Sequence, residues 1–136
     1  MEKVTDWDAL WRELVEIKDR ARGSGSGRGR REDIWADRAT EFKRGVQQKW
    51  VRPDSSRDFV LSHMDPDCSV LDIGAGTGAW SILLSRHAGH VTAVEPSPSM
   101  IRVFRESLEE ERVRNVSIVQ GAWPDVGVGP HDFSLC

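Results

Sequence analysis

The sequence predicts an α/β fold: a parallel sheet of about four strands with flanking helices, preceded by N-terminal helices. Three features point to it. From residue 67 onward, apolar runs of strand length alternate with helical patterns. Three glycines crowd between the first of those runs and the helix that follows it. Before residue 67 the apolar residues recur only at helical spacing. Alternating strands and helices imply parallel pairing through right-handed crossovers.

The elements follow in order. Thr5, with Asp8 three residues on, forms a capping-box-like start. Trp7, Leu10, Trp11, Leu14 and Ile17 then recur along one face of an amphipathic helix over 6–21. Residues 1–22 are assigned to this N-terminal helix. Residues 23–32 read as a Gly/Ser/Arg linker, because alternating glycines lose too much entropy in regular structure.

Residues 33–66 are expected to form a helical cap. One helix starts near Asp33 and carries Trp35, Ala39, Phe42, Val46 and Trp50 along a stripe, with Pro53 beyond its end. A shorter helix is expected from Ser55 to Met64, capped by Asp54, with Phe59, Val60 and Met64 inward.

Residues 67–136 form the expected core. Ser69–Ile73 reads as a buried strand, followed by a helix over 78–88 holding Trp80, Ile82, Leu83 and Leu84. His90–Val94 is the second strand. Pro98 suits the first turn of the next helix, which turns Met100 or Ile101, Phe104 and Leu108 inward. Asn115–Val119 is the third strand, 121–130 a loop, and Asp132–Cys136 the start of a fourth.

Composition narrows the function classes. The chain has 136 residues, room for one core, and no run near the roughly 20 apolar residues of a membrane helix. Cys68 and Cys136 are too few and too far apart for a disulfide framework or a metal cluster, so a cytoplasmic protein with reduced thiols and no metal is expected. Residues 1–57 carry 14 Lys/Arg against 11 Asp/Glu, whereas 58–136 carry 5 against 11. The two parts are therefore expected to do different jobs, and the formal net charge of −3 argues against nucleic acid as a partner.

The sharpest motif is Val70-Leu-Asp-Ile-Gly-Ala-Gly-Thr-Gly-Ala-Trp80. Gly74, Gly76 and Gly78 allow a sharp turn and close approach of a ligand to the backbone, at a helix start whose free N–H groups favour an anionic group. A phosphate loop of the Walker type is excluded because no G-K-[ST] follows, and the dinucleotide spacing G-x-G-x-x-G is not met. The loop instead reads G-x-G-x-G, with Asp72 two residues ahead of it. Glu95 ends the second strand 23 residues after Asp72, near the offset at which an acid accepts hydrogen bonds from a ribose in Rossmann-type sites.

These residues resemble the first two motifs of the class I S-adenosylmethionine-dependent methyltransferases, a Rossmann-like family. Trp35-Ala-Asp-Arg-Ala-Thr-Glu-Phe42 resembles the helix preceding the core in members of the ubiquinone/menaquinone-biosynthesis type. The resemblance implies that Gly74, Ala75, Gly76 and Gly78 hold the methionine part of S-adenosylmethionine, with Asp72 offsetting its ammonium. It implies that Glu95, next to Pro96, clamps the ribose and that Met100 lies against the adenine, although a core methionine is an equal reading. Ala122 and Trp123, after the third strand, match positions that bracket the adenine. Trp35 and Trp50 are candidates for a cover over the cleft or for ordinary packing.

The family's sheet has seven strands ordered 3-2-1-4-5-7-6, so the sequence to Cys136 is expected to be a C-terminally truncated, incomplete fold. Poor activity alone is expected, with a homodimer or partner chain completing the sheet. No catalytic base is identified: His63, His87, His90 and His131 are scattered. Methyl transfer to a small-molecule acceptor is the expected function. A non-catalytic cofactor-binding or scaffolding module, a nicotinamide-dependent oxidoreductase and an RNA methyltransferase (from Arg28, Arg30 and Arg31) are the alternatives.

Overall fold

The computed structural model describes residues 6, 9, 10, 12–14, 16, 17 and 33–136. It divides into two compact units, Met1–Glu32 and Asp33–Cys136. In the first, the described residues from Ala9 to Ile17 are helical. Asp6 caps them, its carboxylate accepting from the Ala9 N–H at 3.0 Å. Thr5, Asp8, Trp7, Trp11 and the 23–32 linker lie outside the described residues.

The second unit runs α1 (Ala39–Trp50), α2 (Ser55–Leu61), β1 (Ser69–Ile73), α3 (Ala79–Leu84), β2 (His90–Glu95), α4 (Pro98–Glu110), β3 (Val116–Gln120) and β4 (Phe133–Leu135). The strands form one sheet ordered β3-β2-β1-β4, every pair parallel. This is the Rossmann-like arrangement the alternation predicted, as a four-stranded, incomplete sheet.

Register explains the core. Val70 pairs with Val91 and Asp72 with Ala93, so these side chains share one face of the sheet with the in-register Val116 and Ile118. Val70, Val91 and Leu84 cluster there with Cys68 and Ala88, and Ala93 clusters with Phe104 and Leu108. Phe104 is fully buried, worth about 1.5–3 kcal/mol in transfer free energy. On α4, Met100, Ile101, Val103, Phe104, Ser107 and Leu108 are all buried, so both alternatives for its first inward residue hold.

Three local expectations need correction. Residues 34–38 form successive turns, and α1 begins only at Ala39. Asp33 is engaged elsewhere, and Ala36 and Arg38 donate to carbonyls only three residues back, a tighter winding than an α-helix. On α2, Asp54 caps as expected, accepting from Ser56 and Arg57 N–H, but Phe59 is 67% exposed. Val60 and Met64 face the core as expected, and Leu61 joins them in place of Phe59. The helix after β1 ends at Leu84 because the last turns tighten, with Arg86 and His87 donating to Leu83 and Leu84 carbonyls.

Candidate cofactor site at the strand tips

The loop after β1 is built from three left-handed glycines: φ is +74° at Gly74, +59° at Gly76 and +86° at Gly78. Such values strain any residue with a Cβ. Gly78 has a second reason to be glycine, since a Cβ there would lie 2.0 Å from the ring of Phe104. Gly76 faces Phe42 of α1, 3.6 Å from its ideal Cβ position, and Gly74 faces open space. The loop hangs on β2: Gly74 and Ala75 N–H both donate to the Val94 carbonyl, at 2.8 and 3.1 Å.

Glu95 lies directly beside this loop. Ile73 pairs with Val94, so the chain leaves β1 alongside the last residue of β2. The Glu95 carboxylate, in a residue only 6% exposed, accepts from Gly76 N–H at 2.7 Å through Oε2 and from Ser97 N–H at 2.9 Å through Oε1. A carboxylate has about four lone-pair sites, so each oxygen keeps capacity for one more donor. A buried acid, oriented by backbone amides with acceptor sites to spare, fits the vicinal hydroxyls of a ribose.

Asp72 sits beneath the loop. Its Oδ2 accepts from the Ser81 hydroxyl at 2.6 Å, which ties β1 to α3. Burial pushes its pKa up; hydrogen bonds from Ser81 oppose that, and the neighbouring Glu95 charge adds to it. A cation above the loop would relieve the strain of keeping both carboxylates charged.

Other expected site residues spread around this centre. Gly121 N–H donates to the Glu95 carbonyl at 3.1 Å, which brings the exposed Ala122 and half-buried Trp123 to the tip of β2. Pro96 is exposed beside them. Met100 is 2% exposed and packs against Ala39 and Val103, with Trp35 alongside. Trp50 stacks edge-on with Trp80 at 5.3 Å under the Arg57 guanidinium. His131 is held on the β3–β4 loop, Nδ1 donating to the Gly129 carbonyl and Nε2 accepting from Thr92, a tautomer assigned from its partners.

A cavity of about 180 Å³ also opens among the helices, bordered by Lys43, Trp50, Thr77 and Leu83. It is smaller than the roughly 300 Å³ at which ligand pockets begin and touches neither Glu95 nor Gly76. The strand tips remain the better candidate, since ligands of open α/β sheets gather at the carboxyl ends of the strands.

Residues 70–136 match the family described as a methyltransferase domain. That stretch therefore belongs to the methyltransferase-domain family. Among curated relatives, the chain is 34% identical over 83 residues to magnesium-protoporphyrin O-methyltransferase of Rhodobacter capsulatus, covering 59% of this chain and 37% of the relative. It is 34% identical over 64 residues to demethylmenaquinone methyltransferase of Listeria welshimeri, covering 45% and 27%. A dimethyladenosine transferase structure from Plasmodium falciparum superposes with a TM-score of 0.50 at 22% identity, covering 52% of this chain and 26% of that one, a likeness of fold. The chain spans about a third of the lengths of these two curated relatives.

Sequence reasoning missed Asp33, Ser81 and Ser97. Ser97 carried a signal, a serine just before a helix that opens with proline. Ser81 and Asp33 carried none, because their partners lie 9 and 64 residues away.

Proposed function

We propose that this domain binds S-adenosylmethionine at the tips of β1 and β2 and uses it to methylate a small-molecule acceptor. The observation that carries the reading is the 2.7 Å bond between Gly76 N–H and Glu95, which joins the glycine turn and the acid in one cradle. Bound there, the sulfonium cofactor supplies an electrophilic methyl group. The chain's own residues bind and orient. Glu95 accepts the ribose hydroxyls, and Gly74, Ala75 and Gly76 leave room for the amino-acid part, whose ammonium the Asp72–Glu95 charge pair attracts; Gly78 lets the turn close over Phe104. Pro96, Ala122 and Trp123 border the adenine side, while Met100 is a core methionine buried against Ala39 and Val103. Transfer then depends on alignment of acceptor, methyl and sulfur.

A small acceptor is supported by the acidic balance of 58–136, 5 basic residues against 11 acidic, which gives little attraction for phosphates. It is supported too by the two relatives named for magnesium-protoporphyrin and demethylmenaquinone. None of the described helices is long and apolar enough to cross a membrane, and a cytoplasmic setting suits the free thiols of Cys68 and Cys136.

Calorimetric titration with S-adenosylhomocysteine tests the reading. Binding is expected in the wild type, with loss of about tenfold or more in Gly76→Val, where a branched side chain meets a positive φ and Phe42. Unchanged affinity in Gly76→Val, or tighter binding of NADH than of S-adenosylhomocysteine, would overturn it.

A further inference from the structure

Asp33 stands in the turn ahead of α1, far in sequence from the cleft, yet its carboxylate reaches the turn between β2 and α4. Oδ1 accepts from the Ser97 hydroxyl at 2.8 Å and from Trp35 N–H at 3.1 Å. Oδ2 accepts from Ser99 N–H at 2.9 Å. The Ser97 hydroxyl is thereby used twice, donating to Asp33 and accepting from Met100 N–H at 3.1 Å. Ser97 N–H completes the link to Glu95, and Glu95 to Gly76.

We propose that Asp33 is a positioning residue for the cofactor-binding acid: it pins the 97–99 turn from the cap side, so that Ser97 N–H holds the Glu95 carboxylate in its ribose-accepting orientation. This rests on the reading of the strand tips as the S-adenosylmethionine site. The chain of contacts runs Asp33–Ser97–Glu95–Gly76 without a break, and every link is a hydrogen bond to a carboxylate, the stronger kind. Remove Asp33 and the Ser97 hydroxyl loses its acceptor, while Ser99 N–H loses a partner at the first turn of α4.

Asp33 is ionised at neutral pH. Burial works to raise its pKa, but donors from Ser99, Ser97 and Trp35 together lower it from 3.8 to about 2. A group with only a packing role would not need three donors aimed at one carboxylate. Packing is supplied separately by Ala39, which is 1% exposed against Met100 and Val103. Cap attachment and acid orientation are thus carried by different residues, and that makes the two roles separable by mutation.

The test is a double-mutant cycle on the full chain, titrating S-adenosylhomocysteine into wild type, Asp33→Ala, Glu95→Gln and the double variant. Asp33→Ala is expected to weaken binding about tenfold, and to cost less than about twofold once Glu95 is already Gln. Asp33→Asn keeps one acceptor oxygen and replaces Asp33→Ala in the cycle if the alanine variant does not fold. An unchanged affinity in the Asp33 variant, or the same loss in both backgrounds, would overturn the positioning role while leaving the cofactor reading intact. Failure of the wild type to bind would overturn the cofactor reading and the proposal with it.

Discussion

At the scale of single residues, Gly78 and Gly74 look alike in sequence but differ physically. Both hold positive φ, yet only at Gly78 does a Cβ meet a buried ring. Gly78→Ala is expected to lower stability by about 3 kcal/mol, combining overpacking with backbone strain. Gly74→Ala should cost only the strain, about 1 kcal/mol. Denaturant titration of both variants checks the difference, and equal losses would contradict it. The two buried-side carboxylates should answer pH in opposite directions. Asp33 is lowered to about 2, so its contribution is complete above its ordinary 3.8 and is lost as pH falls toward 2. Asp72 is raised, so its contribution is complete below 3.8 and is lost as pH climbs through its elevated folded value. Comparing stability against pH for Asp33→Asn and Asp72→Asn with the wild type should remove one arm each. The glycines and Glu95 were legible in sequence because their spacing is local and their chemistry narrow. Asp33 was not: a lone aspartate before a helical stripe reads as a cap, and nothing local shows that its partners are Ser97 and Ser99.

At the scale of elements, strands were easier to place than helices. Ser69–Ile73 has the bounds expected of it, because a short apolar run flanked by polar residues and glycine has few alternatives. Helix ends were set by tertiary contacts that a stripe of apolar residues does not contain. Asp33 turns toward the 97–99 loop and delays α1 to Ala39. Phe59 turns outward because Val60, Leu61 and Met64 already fill the space over Cys68 and Val70. Asp54→Ala, which removes the cap of α2 far from the strand tips, should cost about 1 kcal/mol and leave S-adenosylhomocysteine affinity unchanged. Ala39→Leu should instead lose about 1–3 kcal/mol by forcing α1 off α4. Thermal melting and calorimetry on both variants separate the cap from the interface.

At the scale of the whole molecule, the sheet is unevenly secured. β1 and β2 are central and carry Val70, Val91, Ala93 and Val94 at 1% exposure or less, whereas β4 is a three-residue edge with Phe133 37% exposed. Native-state hydrogen exchange should therefore be slowest in β1 and β2 and fastest, among the strands, in β4. Equal protection across the four would count against this picture. Alternation of strand and helix made the parallel order readable before any coordinates, since chirality leaves few ways to thread it. The cap's attachment to the cleft could not be read that way, because it depends on pairs 64 and 66 residues apart.

The most direct measurement is of the amides that Glu95 now holds. Titrating ¹⁵N-labelled protein with S-adenosylhomocysteine should shift Gly76 and Ser97 most, with Gly74, Ala75 and Ala122 following, as the ribose takes its share of the carboxylate. Shifts concentrated around Lys43 and Leu83 in the helical layer, with Gly76 and Ser97 unmoved, would contradict it.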